Sequence, residues 1–445
     1  MKIKQLHLQN FCRFEDLAIP LVNENGKPNQ VTVFIGENGA GKTSILQALA
    51  LSLSWLTARI GREKGSGSPI SELEILNGKA FSSISIDIEH AEENFSWILT
   101  RTTKGRKKLV KSELVDVTRL AEYFRYELTK DDATFLPVVI YYPVERMVLD
   151  IPLKIRNRHR YNQLDGYDDT FKQGVGFHRF FEWFREREDI ENETIINQAS
   201  LKNISAMISD SNEVEKVKQV LIKLTDLPRD RQLMAVRTAI SSFMPGFSNL
   251  RVKRRPRLRM LIDKNGETLN VAQLSQGEKS LMALVGDLAR RLAMMNPALE
   301  NPLHGEGIVM IDEVDMHLHP RWARSVINNL CNTFPNCQFI LTTHSPLVIS
   351  DAKNMSGYIL NQEGLRPLGN LYGMDVNQVL LQEMGAEIRS REVQERLDTL
   401  FDAIQDGNCK LAREILQGLE QELPADHLEI NKAHLLLKRA EARRA

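Results

Sequence analysis

A chain of 445 residues is long enough for about two or three folded units. Its 58 basic and 58 acidic side chains cancel, which excludes a globally basic nucleic-acid binder and leaves only local basic faces. Hydrophobic residues make up 42% and charged residues 26%, as in a chain with a full core, and no apolar run approaches the length of a transmembrane helix.

The start, MKIKQLHLQNF, alternates polar and apolar like a strand and has no signal-peptide core, with Ile3, Leu6 and Leu8 on one face. Four thiols, Cys12, Cys331, Cys337 and Cys409, form no CxxC pair and are too few for a disulfide framework; a reduced, cytoplasmic protein is expected. Val31 to Ile35 reads as a buried strand, followed by a glycine loop and a helix from Lys42 to about Leu56. Residues 61–75 read as a loop. Two β segments follow at Ile84–Ile88 and Phe95–Thr102, then the basic run RTTKGRKKLVK and a buried strand at Pro137–Tyr142. Residues 1–150 form the first predicted segment. Residues 151–247 read as a helical insertion, on the spacing of FHRFFEWFREREDIENE and VEKVKQVLIKL. Strand and helix alternate again over 248–362, which predicts parallel strands. Residues 363–445 read as a helical tail. Leu397, Phe401 and Ile404 form one stripe, Ala412, Ile415 and Leu419 a second, and Pro424 precedes a last helix. No heptad repeat runs on for several turns, so a long coiled coil is excluded.

Gly36-Glu37-Asn38-Gly39-Ala40-Gly41-Lys42-Thr43 fits G-x-x-x-x-G-K-[ST] between a strand and a helix. The glycines let backbone N–H groups turn inward around phosphates, with Ser44 next in the helix's first turn. Lys42 is expected to reach the β- and γ-phosphates of ATP and Thr43 to ligate Mg2+. The strand at Gly307–Ile311 ends in Asp312, expected to hold Mg2+, and Glu313, expected to orient the attacking water. Upstream, Ser275, Gln276, Gly277 and Glu278 open another helix, a second anion-binding end.

With these residues in order, the chain resembles the ABC-type ATPases of the SMC, RecF and OLD kind. LSQGE looks like their signature loop, Asp315-Met316-His317-Leu318-His319-Pro320 their D-loop, and Thr342-Thr343-His344-Ser345 their switch histidine. The resemblance implies an α/β head with an antiparallel β-subdomain. It implies two heads paired head to tail, so that Ser275 and Gly277 of one close over ATP on Lys42 and Thr43 of the other. It gives His344 a contact to the γ-phosphate and places Arg13 near the nucleotide. The family's glutamine loop has its positional counterpart at Tyr141–Arg146, YYPVER, which lacks glutamine.

Within the superfamily, a transporter subunit is disfavoured by the long span between phosphate loop and signature and by VDMHLHP after Glu313. The Toprim nuclease domain of OLD proteins needs an Asp-x-Asp cluster that is missing after His344. The phrases LYGMDVNQVLLQEMG, RSREVQERLDTLFDAI and FFEWFREREDIENE resemble the stand-alone ATPases of Septu antiphage systems, the PtuA family. That resemblance implies assembly with a separate HNH nuclease; a RecF-like repair ATPase acting at DNA gaps or ends is the alternative. Residues 250–262 read as one alternating strand. Leu250, Val252, Leu258, Met260 and Ile262 face one way, in register with Arg254 and Pro256. Arg251, Lys253, Arg255, Arg257 and Arg259 face the other as candidate nucleic-acid contacts. Further basic clusters are Lys104, Arg106, Lys107, Lys108 and Lys111, and Lys154, Arg156, Arg158 and Arg160. Phe180, Phe181, Trp183 and Phe184 read as helix core.

Overall fold

A computed structural model describes residues 1–107, 110–131, 133–146, 161–171, 178–207, 230–353, 355–361, 364–369, 371–383, 389–424 and 426–442. The chain divides into two units, Met1–Gly373 and Met374–Ala445. The first begins with strands β1 (Lys2–Phe11), β2 (Phe14–Pro20) and β3 (Val31–Gly36), then helix α1 (Lys42–Gly61). Strands β4 (Phe81–His90) and β5 (Glu93–Thr102), helix α2 (Val115–Lys130) and strand β6 (Val138–Tyr142) follow. Helices α3 (His178–Met207) and α4 (Arg231–Phe243) lead to β7 (Phe247–Lys253), β8 (Arg259–Lys264) and β9 (Glu267–Asn270). Helix α5 (Gln276–Met295), strand β10 (Gly307–Ile311), helix α6 (Pro320–Thr333), strand β11 (Cys337–Thr343), helix α7 (Pro346–Ser350) and strands β12 (Ser356–Asn361) and β13 (Gly364–Leu368) complete it.

Three sheets result. An antiparallel sheet has the order β2-β1-β4-β5, and a three-stranded antiparallel sheet the order β7-β8-β9. The central sheet runs β13-β12-β3-β11-β10-β6, parallel except for the β12–β13 hairpin. The parallel strands β10 and β6 are runs of apolar and aromatic residues, and β3 and β11 are buried along nearly their whole length, because both faces are covered. α1 is apolar almost all round and is buried along its length; Trp97 of β5 donates its indole N–H to Ser52 O of this helix at 3.3 Å. Gln338, fully buried in β11, joins two sheets: its amide donates to Ile3 O at 2.9 Å and its carbonyl accepts from Ile3 N at 2.6 Å.

Several expectations are revised. α1 runs one turn beyond Leu56. α2 lies where no element was read, although Val117, Leu120, Ala121 and Phe124 keep helical spacing. The hairpin β12–β13 carries the central sheet past residue 362, so the head ends at Gly373. The described helices of the 151–247 segment, α3 and α4, are part of the head unit. The aromatic run on α3 is fully buried, as its spacing predicts, with Phe180 filling the space beside Gly286 of α5. Residues 250–262 are not one strand. The chain turns back between Lys253 and Arg259, so the five cations lie on two antiparallel strands and the turn between them. Val252, Met260 and Ile262 are buried, whereas Arg254 is exposed. VEKVKQVLIKL, Lys108 and the cluster from Lys154 to Arg160 lie outside the described residues.

The second unit contains α8 (Val376–Gln382), α9 (Arg391–Gln405), α10 (Cys409–Glu422) and α11 (Leu428–Ala442). Leu397, Leu400, Ile404, Ala412, Leu416, Leu419, Ile430, Ala433 and Leu437 form its own core. Both stripes read from the sequence point into it. Among the described residues no helix is long and apolar enough to cross a membrane.

Candidate nucleotide site

Parallel strands deliver their C-terminal ends to one edge of a sheet, where ligands are held. Ile35 of β3 is level with Thr343 of β11, and Ile311 of β10 with Leu341 of β11 and Tyr142 of β6. The residues that follow these four strands are therefore neighbours. They are the phosphate loop, Asp312 and Glu313, His344, and the YYPVER segment.

Gly36 and Gly41 show why the loop is glycine-rich. Gly36 has φ 154°, and a Cβ there would lie 2.1 Å from Leu360 O; Gly41 has φ 101°, and its Cβ would lie 2.6 Å from the Phe14 ring. The Lys42 ammonium donates to Gly36 O at 2.7 Å and Glu37 O at 3.0 Å, and to His344 Nε2 at 2.9 Å. Burial lowers the Lys42 pKa, partly offset by Glu313 and Asp312. Arg13 donates to Gly39 O at 2.6 Å and so lies against the loop. Ala40 is buried, while Glu37, Asn38 and Gly39 are exposed at the rim. Ser44 faces the Cys12 thiol.

Asp312 is buried and accepts hydrogen bonds from Thr43 Oγ1 at 2.7 Å and from Thr342 Oγ1. Thr342 Oγ1 in turn accepts from Glu313 N at 2.7 Å. Glu313 adopts a left-handed φ of 47°, a conformation that re-aims its side chain at the sheet edge. Its carboxylate lies 3.8 Å from His344 Nε2. Burial lowers the His344 pKa and the Lys42 charge lowers it further, which favours the neutral ring, whose Nε2 can accept from Lys42. Thr343 Oγ1 donates to Asp315 and accepts from Ser345 N at 2.9 Å.

The segment without glutamine carries Arg146 instead. Its guanidinium is buried and donates to the carbonyls of Asp312, Glu313 and Pro143, clamping the turn between the paired acids. Neither Arg146 nor Thr342 was singled out by role from the sequence. The hydroxyl pair Thr342-Thr343 just before His344 was the visible signal; for Arg146 nothing local was.

Ser275 to Glu278 form a separate helix end, reached from β9 through the 3₁₀ turn Val271–Gln273. Ser275 Oγ accepts from Glu278 N at 3.3 Å, and Glu278 accepts from Ser275 N at 2.9 Å, a capping box. Lys264 of β8 pairs with Glu278 at 2.7 Å. Gly277 lies against the D-loop of the same chain: a Cβ there would lie 2.1 Å from His317 O.

A hydroxyl and a carboxylate, Thr43 and Asp312, form an oxygen donor pair suited to Mg2+, which takes few protein ligands and completes its shell with phosphates and water. Among the described residues no group of three or more His, Cys, Asp or Glu could cage a metal.

The family described as "AAA domain, putative AbiEii toxin, Type IV TA system" matches residues 31–350, and a further AAA domain family matches 1–56. The Retron Vc95 probable ATPase of Vibrio cholerae serotype O1 biovar El Tor is 32% identical over 408 residues, covering 85% of this chain and 78% of that protein. The Retron Ec83 probable ATPase of Escherichia coli is 32% identical over 392 residues, covering 81% and 71%. Septu protein PtuA of Bacillus mycoides (strain KBAB4) is 46% identical over 74 residues, 17% of this chain and 10% of that protein. Similarity to PtuA is thus confined to a short stretch, whereas the retron proteins match most of the chain. By its site geometry and by these matches, the chain belongs to the ABC/SMC-like ATPase family that includes the retron probable ATPases.

Proposed function

We propose that two copies of this chain sandwich ATP head to tail, and that the resulting closure controls a separate nuclease in an antiphage defence complex. The observation that supports the chemistry is the junction of Lys42, Thr43, Asp312, Glu313 and His344 at one sheet edge. In this reading Lys42 exchanges its carbonyl and histidine partners for β- and γ-phosphate oxygens, while N–H groups of Glu37 to Ser44 surround the phosphates. Thr43 and Asp312 hold Mg2+, which when bound neutralises charge that develops on the phosphates. Glu313 orients water for in-line attack, and His344, released from Lys42, contacts the γ-phosphate. Ser275 and Gly277 of the second copy complete the pocket. ATP binding would close the pair and hydrolysis would open it. The defence role is supported by similarity to retron probable ATPases along most of the chain and to PtuA in part.

The test combines turnover, size and partnership. Lys42→Ala is expected to lose ATP binding, and Glu313→Gln to bind ATP, turn it over at least about a hundredfold more slowly and elute as a stable dimer. Wild-type turnover by Glu313→Gln would remove Glu313 from its role. The tagged chain, purified from cells carrying its native operon, is expected to bring down a nuclease in stoichiometric amount. An active ATPase with no nuclease bound would end the defence reading and leave the chemistry standing.

A further inference from the structure

The β7–β8 hairpin sorts its cations into two sets. Along β7, Arg251 pairs with Asp263 at 3.0 Å, and at the start of the turn Arg254 reaches Asp189 and Glu188. Glu188 is buried on α3 and also accepts from Val252 N at 2.8 Å and from Arg237 at 3.1 Å, which pins the turn-side end of β7 to the helical layer. Around the turn, Lys253, Arg255, Arg257 and Arg259 are exposed, and among the described residues none has an ion-pair partner. The sequence KRRPRLR between them contains no acid to compensate. Charge that only protects a sheet edge sits along the strand. Here Arg255 and Arg257 lie in the turn, beyond the last paired residues Lys253 and Arg259, and protect no edge. Four cations with no ion-pair partner among the described residues repel one another, an arrangement that a polyanion would relieve.

The base of the hairpin touches the ATPase machinery at two points. Lys264 at the end of β8 pairs with Glu278 of the signature loop, and β9 leads directly into that loop. Phe247 at the start of β7 packs edge-on against Trp322 of α6, the helix that follows the D-loop, with ring centroids 6.4 Å apart.

We propose that the hairpin tip binds the phosphate backbone of duplex nucleic acid and that this contact is transmitted through Lys264 to the signature loop, making ATP turnover responsive to nucleic acid. No aromatic residue lies between 253 and 259, so no base-stacking platform is present and the contact is to phosphates, independent of sequence. The transmission half rests on the ATPase reading above. The contact half does not, because it is measured without nucleotide.

The probe is a short mixed-sequence DNA duplex titrated over a range of salt, with an RNA duplex and a single strand as parallel arms. Wild type is expected to bind with a steep salt dependence. The full-length variant Lys253→Gln/Arg255→Gln/Arg257→Gln/Arg259→Gln is expected to lose up to about three to four units of the log–log slope and at least about tenfold in affinity. Should it misfold by circular dichroism, Arg255→Gln/Arg257→Gln, confined to the turn, is expected to lose up to about two units. Unchanged binding by these variants, or no binding by wild type, overturns the contact even if ATP is hydrolysed normally. Equal competition by an acidic polypeptide overturns it in favour of a protein partner. With ATP present, duplex is expected to change wild-type turnover several-fold, and Lys264→Met to bind duplex normally without that response. A wild-type rate indifferent to bound duplex, or a Lys264→Met rate that still responds, overturns the transmission.

Discussion

Arg146 donates to the Asp312 carbonyl, for which no other donor is found among the described residues, and shares the Glu313 carbonyl with Met316 N, which donates to it at 2.9 Å. Hydrogen bonds from a charged donor contribute about 1.5–3 kcal/mol each, and a buried acceptor left alone costs a similar amount. Arg146→Met is therefore expected to let the Asp312–Glu313 turn drift, reducing kcat by at least about tenfold while KM for ATP moves little, because the phosphate loop is untouched. Steady-state kinetics separates the two; a change confined to KM would contradict the role. His344 gives a prediction with a defined sign. Burial and the Lys42 charge favour its neutral form in the fold, so below its ordinary value of about 6.5 the unfolded chain binds more protons than the folded one. Stability from this group is complete above about pH 6.5 and is lost as pH falls through the lower folded-state pKa. Thermal melting of the nucleotide-free protein from pH 7.5 to 5 is expected to show this slope, and His344→Asn to flatten it.

At the scale of elements, α5 is the most committed helix. It is buried from Ser280 to Met295, and in its middle Asp287 meets Arg290 at 2.8 Å, Arg291 at 2.8 Å and the Tyr142 hydroxyl at 3.0 Å. Burial alone would raise the Asp287 pKa, but the two guanidiniums outweigh it and hold the carboxyl well below the usual range. Arg291 also donates to Gly166 O at 2.6 Å. Asp287→Asn leaves two buried cations without a counter-charge and is expected to cost about 3–5 kcal/mol, read as a lower denaturant midpoint. How much the sequence revealed follows from the range of each interaction. The phosphate loop, the Asp312–Glu313 strand end and the helix opened by Ser275 were legible because strand, glycine turn and helix lie within a few residues. The turn in 250–262 was not, since alternation continues across it and only strand pairing reveals the reversal. Arg146 was not, since the Asp312 carbonyl it holds lies 166 residues away along the chain; Asp287 has Arg290 and Arg291 within one helical turn, but its burial against Tyr142, 145 residues away, was not legible. α2 was legible in its periodicity and was left unread.

For the molecule as a whole, the two units each have a core. The head's is arranged around three sheets and α1, and the second unit's is a helical cluster of its own. A chain ending at Gly373 is expected to bind ATP with unchanged affinity, and residues 374–445 alone to give a helical circular dichroism spectrum with a cooperative melt; an unfolded isolated segment would show its core to be insufficient. In the proposed pair, one contact described above acquires a further meaning. With Gly277 pressed against the His317 carbonyl, the loop each chain lends to its neighbour's nucleotide is keyed to the loop beside its own. Neither pocket then tightens without tugging on the other. The assembly counts ATP in twos, and turnover against ATP concentration becomes sigmoidal rather than hyperbolic.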